Sequence, residues 1–273
     1  MSQPCDLHSL WIGPRLGLLQ KLSLASWLAH GHRAVIWVYG AVDGLPRDAD
    51  IRDAREILPE SAISYHRASG SVSLFSNRFR YHLFRQHPSS TWFDMDILLL
   101  RPFTEASPYW FAWEIGDSIC SAVLRLPARS CALRDLLTLT DARVPVPHWW
   151  PLKERNRQRW RGLFGEHTRA EDLTWGTFGP RALTETLKRR NLAGRAFPRD
   201  TFYSIDWTET PLFYEQHALV EERLGPEAIG VHLWSTGGAM WSPEVLAKRE
   251  GPLAPASWIA RQCRAYGVDW ALA

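Results

Sequence analysis

Asp94 and Asp96 stand two apart in Trp92-Phe93-Asp94-Met95-Asp96-Ile97-Leu98-Leu99-Leu100, a run closed by Arg101 and Pro102. A near-continuous apolar stretch bounded by turn residues reads as a strand buried on both faces. In extended chain, residues i and i+2 point the same way, so the two carboxylates share one side. They are costly there unless something pairs with them. Two anionic oxygens at that spacing suit a hard divalent cation, Mg2+ or Mn2+, that also holds substrate phosphates. The competing reading is structural, with one Asp paired to an arginine and the other in solvent. Upstream, Asn77 and Arg80 share a helix face, and the chain from there leads into the Asp94/Asp96 strand, within reach of the same pocket. Arg80 reads equally as a surface or ion-pair arginine. His232 lies in the apolar run Ile229 to Trp234, as a ligand or as a satisfied core histidine.

The elements that must position these residues follow from pattern. Leu7 to Ile12 predicts a strand ending at Gly13-Pro14, residues 16 to 30 a helix stopped by Gly31, and Arg33 to Tyr39 a second strand. Strand, helix, strand suggests a parallel sheet with a right-handed crossover, whose ligands bind at the carboxyl ends of the strands. That puts Trp11, Tyr39 and Asp94/Asp96 near one edge. Asp48 to Leu58 predicts a short helix, residues 71 to 86 a longer one, 109 to 126 two strands around Gly116-Asp117-Ser118, and Ser130 to Thr140 a helix. Residues 141 to 174 break the pattern: Val-Pro-Val-Pro-His-Trp-Trp-Pro is an extended loop. The basic stretch Lys153 to Arg161 follows, with Trp160, Leu163 and Phe164 at helical spacing. It reads as a solvated helix packed by those apolar residues, or as a membrane-surface segment with aromatics at the headgroups. Thr177 to Asn191 predicts a helix, Phe202 to Trp207 and Ile229 to Trp234 strands, and residues 254 to 266 a terminal helix.

With 273 residues the chain can bury a sizeable core. A net charge of +3 is too weak to argue for nucleic acid. Its basic residues are 28 Arg and 4 Lys. Arg is the better bidentate phosphate ligand, although coding bias gives the same ratio. The four cysteines show neither C-x-x-C nor framework spacing, which fits a reducing cytosol. Asp6 and His8 interrupt any signal peptide, and no apolar run is long enough to span a bilayer, so a cytoplasmic, soluble or peripheral protein is expected.

Taken together, these segments resemble a known family. Ser76-Asn77-Arg78-Phe79-Arg80-Tyr81 followed by Trp92 to Phe103 is similar to the "S-D-x-x-R-Y … W-x-D-x-D … L-x-P" signature of D-x-D sugar-transferring enzymes. The resemblance is to the α-1,4-glycosyltransferase and capsular-polysaccharide transferase group, which is similar to globotriaosylceramide synthases and more distantly to the clostridial glucosylating toxins. His8 to Gly13 resembles the family's first strand and Asp53 to Pro59 its next marker. Trp175 to Pro180 with Leu183-Thr184 resembles "T-G-P-x-x-L-T", and Val231 to Trp234 the closing "H-x-W". Five markers in order extend along nearly the whole chain.

The resemblance implies a single GT-A domain over residues 1 to 273, an α/β Rossmann-like fold with a mixed, mostly parallel sheet and helices on both faces. Residues 141 to 174 would be an insertion or acceptor-side segment. It implies Mn2+ or Mg2+ as cofactor, a nucleotide-sugar donor (a UDP-sugar), a glycan or glycolipid acceptor, and retention giving an α-linkage in surface polysaccharide assembly. Carried over by position, Trp11 would stack on the base, while Asn77 and Arg80 would contact the sugar and phosphate. Asp94 would contact ribose and sugar, Asp96 would ligate the metal, and His232 would sit by the metal and diphosphate. Trp234 counts with the donor-binding residues, and Glu114 matches a family acid near sugar and acceptor. Three departures stand out: Asn77 in place of Asp, His87 to Thr91 in place of a Gly-Gly turn, and a longer link Ser235 to Trp241 after "H-x-W". Gly237-Gly238 in that link would serve a closing loop.

In chemical terms, a divalent ion and Arg80 would neutralise a diphosphate leaving group. No general base stands out, and a retaining reaction in which the leaving phosphate accepts the proton needs none. The alternatives are a non-catalytic nucleotide-sugar or carbohydrate-binding protein on the same fold, or a nucleotide-sugar hydrolase.

Overall fold

The computed structural model describes residues 5–104, 107–215, 217–235 and 253–270. Its centre is a five-stranded sheet built from β1 (Asp6–Trp11), β2 (Arg33–Val38), β3 (Asp50–Asp53), β4 (Thr91–Phe93) and β6 (Val123–Leu124). The strand order is β3-β2-β1-β4-β6. β1 pairs in parallel with both β2 and β4, and β2 with β3, while β6 runs antiparallel to β4. The sheet is therefore mixed and mostly parallel, as the GT-A expectation requires.

Alternation along the strands separates two apolar layers. Val35, Trp37, Trp92 and Leu124 face one core with Phe75 and Phe79 of α2 (Ser73–Gln86) and Leu133 and Leu136 of α3 (Cys131–Thr140). Ala34, Ile36, Phe93 and Val123 face the other, with Leu24 and Trp27 of α1 (Leu18–Ala29). Helices thus cover both faces, and each fully buried Phe contributes about 1.5–3 kcal/mol. A second, two-stranded sheet pairs β5 (Ile97–Leu99) with β7 (Gly230–His232) antiparallel, in the register Ile97↔His232. It packs with α1 and the C-terminal helix Trp258–Ala265 in a third core.

Several expectations are corrected. The apolar run around the aspartates is two strands in two sheets, not one: β4 ends at Phe93 and β5 begins at Ile97. Asp94 to Ile97 is a turn closed by Ile97 N–H donating to Asp94 O at 3.0 Å. Strand alternation therefore does not bring the two carboxylates to one cavity; the turn does. Asp48 to Leu58 holds β3 and a short 3-10 turn, Ala54–Glu56, rather than a helix. Asp50 accepts both Arg33, at 3.2 Å, and Arg52, at 2.9 Å, so pairing across to β2 overrides the local charge pattern. Residues 202 to 207 form no strand: they lie between the 3-10 turns Arg199–Thr201 and Trp207–Glu209, the second fixed by an Asp206/Glu209 capping box. Between 109 and 126 the pairing reduces to the bridges Trp110↔Arg125, Trp113↔Ile119 and Ala112↔Phe197 plus β6. Gly179, non-helical, delays α5 (Ala182–Arg189) past Pro180. No helix among the described residues is long and apolar enough to cross a membrane.

Candidate functional site

β1 leads through α1 to β2 on one side, while β4 lies on the other side of β1, so the strand order reverses between β1 and β4. In open α/β sheets, ligands bind outside the carboxyl ends of the strands at such a point. A cavity of about 300 Å3 lies there, lined by Trp11 at the end of β1, Arg80, Trp92, Asp94, Asp96 and Ser235, among others. Its size is at the lower end of the range for small-ligand sites.

Ser73, Ser76 and Arg80 recur on one face of α2 and turn to the cavity, while Phe75 and Phe79 enter the core beneath it. Arg80 is 3% exposed. Its Nε donates to Ser76 O (3.3 Å), its Nη2 to Ser76 Oγ (3.1 Å) and Asp94 Oδ1 (3.0 Å), and its Nη1 to Ser121 O. The guanidinium also lies 4.5 Å from the centre of the Trp92 ring. Four of its five N–H groups are thus spent within the protein, leaving one on Nη1 and a charge largely answered by Asp94.

Asp94 Oδ1 also accepts the Trp92 indole N–H at 2.6 Å, whereas Oδ2 takes no hydrogen bond from the described residues. Burial pushes the Asp94 carboxyl above its ordinary range; Arg80 pulls it back, and Asp96 adds to the rise. Asp96 behaves oppositely. Burial works against its charge, but His232 and the Ser235 N–H outweigh that and hold it down to about 2. Its Oδ1 lies 3.2 Å from His232 Nε2, and its Oδ2 accepts Ser235 N–H at 2.7 Å. For His232, burial disfavours the charge, and Asp96 more than restores it. The site therefore sets a buried His232–Asp96 pair beside buried Arg80 and half-buried Asp94.

β5 and β7 set this geometry. Leu233 N–H donates to Asp96 O at 2.8 Å, locking the register that puts His232 opposite the end of the turn. Trp234 follows with φ 53, a left-handed conformation that costs a bulky residue of order 1 kcal/mol or more. That bend turns Ser235 N–H onto Asp96. Two anchors hold the bend: Trp234 Nε1 donates to Ile205 O at 2.9 Å, and the indole lies 3.9 Å from the His232 ring at 33°.

Of the residues expected at a site, Trp11, Arg80, Asp94 and Asp96 line the one cavity; His232 joins them through Asp96 and Trp234 through His232. Asn77 faces a neighbouring crevice lined by Trp175 to Gly179. Its amide donates to Ser73 O at 2.7 Å and accepts Ser121 Oγ at 3.3 Å. A Cβ on Gly179 would come within 2.9 Å of it, which accounts for a glycine there. Glu114 does not line the cavity either: its carboxylate accepts Ser118 Oγ at 3.1 Å and acts on His232 at range, raising it. The closing-loop residues Thr236 to Trp241 lie outside the described residues. The sequence reading leaves out Ser73, Ser121, Gln20 and the backbone of Ser235; for Ser73 the run of serines at 69, 71, 73 and 76, which leads into the first turn of α2, is the available signal.

Two buried polar atoms at the site have no hydrogen-bond partner among the described residues, Trp11 Nε1 and His232 Nδ1. No group of three or more His, Cys, Asp or Glu among those residues is arranged to hold a metal. A two-residue set remains. Ligands at right angles, each about 2.1 Å from an octahedral ion, stand about 3.0 Å apart. The 3.2 Å between Asp96 Oδ1 and His232 Nε2 fits such a pair, provided the imidazole is unprotonated. An ion there would need its remaining oxygens from phosphate and water, as Mg2+-type sites commonly do. The mixed oxygen–nitrogen pair suits Mn2+ better than the harder Mg2+.

No protein-family model matches the chain, and no curated protein matches it. Among solved structures it is similar to the PaToxG glycosyltransferase, at 12% identity and a TM-score of 0.44, over 96% of this chain and 87% of that one. A likeness at that level identifies neither a donor nor an acceptor.

Proposed function

We propose that this chain is a metal-assisted glycosyltransferase that takes a sugar from a nucleotide-sugar donor, a UDP-sugar, and passes it to a glycan or glycolipid acceptor with retention. The observation that carries the reading is the cavity at the strand-order reversal, where Asp94, Asp96, Arg80 and the Trp11 indole converge, with His232 against Asp96. Trp11 offers a face for the base. Asp96 and His232 would hold Mn2+, which supplies Lewis-acid neutralisation of the diphosphate. Arg80 fixes Asp94 and keeps one N–H for an anionic oxygen; Asp94 Oδ2 is free to accept a ribose or sugar hydroxyl. Asn77 and Glu114 support the site from beside and behind rather than by lining it.

A panel of UDP-sugars with Mn2+ tests the reading. Transfer or slow hydrolysis of one donor, dependent on Mn2+ and lost in Asp96→Ala, is expected; full activity in Asp96→Ala contradicts the metal role. The commitment of four of the five Arg80 N–H groups within the protein favours one competitor, a nucleotide-sugar-binding protein without turnover. Donor binding with neither hydrolysis nor transfer would select it, and labelled sugar appearing only on water would select a hydrolase.

A further inference from the structure

Helix α4 (Leu152–Leu163) is attached to the protein by its polar side and shows its apolar side to solvent. Gln158, 5% exposed, donates to Pro145 O (3.2 Å) and Thr168 O (2.7 Å) and accepts Thr168 N–H (3.1 Å). Gly162 lies so close to Val144 that a Cβ would come within 2.9 Å of it. The outer arc is the reverse. Leu152, Trp160, Leu163 and Phe164 are 70, 64, 74 and 65% exposed. The Trp160 and Phe164 rings lie 5.6 Å apart, edge to face. The expectation that these residues pack the helix onto the protein is therefore corrected.

At 3.6 residues per turn, the four apolar residues and Asn156 share one arc, with Lys153 between Trp160 and Phe164, Arg159 on one border and Arg157 on the other. All three cations are exposed, and the arc carries no carboxylate. Large apolar side chains left in water over a contiguous patch mark a surface with a partner. Aromatic and leucine side chains set among lysine and arginine match the headgroup boundary of an anionic bilayer, which offers hydrocarbon to the apolar groups and phosphate to the cations.

We propose that α4 is a membrane-docking element that binds anionic lipid surfaces in the interfacial plane. The segment after it is tied to the chain that leads into the cavity wall: Arg67 N–H donates to Glu171 O at 2.9 Å, and His66 Nε2 meets Leu173 O at 2.8 Å. Four positions beyond Arg67, Ser71 lines the cavity. Two hydrogen bonds thus link the segment that follows the docking face to the chain that enters the site, although docking itself does not depend on glycosyl transfer.

The test is flotation with vesicles of phosphatidylcholine containing 30% phosphatidylglycerol at about 50 mM salt, where charges act over more than 10 Å. The chain is expected to float with these vesicles, and at least tenfold less with phosphatidylcholine alone. Each cation near such a surface contributes about fivefold, so Lys153→Glu/Arg157→Glu/Arg159→Glu should weaken binding on the order of a hundredfold or more. Trp160→Ser/Leu163→Ser/Phe164→Ser should abolish it while leaving UDP-sugar binding unchanged. If that variant does not fold, the charge variant alone decides. Absence of flotation, or flotation that neither variant alters, overturns the proposal. So does a concentration-dependent dimer that the apolar substitutions dissolve without any vesicle binding, which would assign the face to a second copy of the chain.

Discussion

Replacing Arg80 by methionine keeps the stem that lies on Trp92 and removes the cation, so it separates packing from charge. The guanidinium is 3% exposed and makes four hydrogen bonds, one of them to Asp94, whose side chain is 29% exposed. Breaking a buried ion pair by removing one partner costs about 3–5 kcal/mol, chiefly because the other charge is left uncompensated. Residual exposure of Asp94 lets water answer part of its charge, which places the expected loss near the low end, about 3 kcal/mol. Arg80→Met/Asp94→Leu removes both charges and should recover about half of that. Urea unfolding followed by tryptophan fluorescence measures all the variants, and the double-mutant cycle isolates the pair. A loss below about 1 kcal/mol for Arg80→Met would refute the reasoning: Arg80 would then not be committed to the protein, and its whole guanidinium would be open to a ligand. The expected outcome also bears on function, because activity lost in an Arg80 variant has to be corrected for stability before it is assigned to phosphate.

His8 is buried, with Nδ1 3.2 Å from the Trp37 indole nitrogen and accepting its N–H; burial, then Arg52, His87 and Arg33, lowers it to about 3. Its folded value is depressed, so its contribution is complete above pH 6.5 and is lost as pH falls, at up to about 1.4 kcal/mol per unit. Urea midpoints at pH 7 and pH 5 should show His8→Asn losing about 2 kcal/mol less than the parent; equal losses would contradict the assignment. Gly230→Ala places a Cβ 2.6 Å from Leu98 O and 3.0 Å from Phe202 Cε1, across the pairing that sets His232 against Asp96. Thermal unfolding should show a loss of about 1–3 kcal/mol, and no change would mean that β5 and β7 separate freely.

Much of the fold was legible because its signals were local and strong. β1, α1, β2, α2 and α3 declare themselves by apolar runs and helical spacing. In two of the failures a distant partner outweighs the local pattern. Asp48 to Leu58 has helix-like charge spacing, yet Asp50 is taken by Arg33 on the neighbouring strand. Apolar residues on both sides point to one strand for the aspartates, whereas Asp94 N–H bonds to Ala122 O and the Leu233 N–H to Asp96 O, drawing the two ends into different sheets. Asp94, Asp96, Arg80 and Trp11 could be named from type and spacing. The roles of Ser121 and Ser235 could not, because each acts through a backbone atom that any residue supplies. Left-handed Trp234 carries no sequence signal at all, since tryptophan does not favour that conformation.

Titration calorimetry of UDP against the full chain, with and without 1 mM MnCl2, tests the central claim most directly. The account predicts saturable binding that strengthens at least tenfold with Mn2+ and loses that gain in Asp96→Ala, a variant checked for retained fold by circular dichroism. Binding of UDP that ignores Mn2+, or a gain that survives in Asp96→Ala, would contradict it.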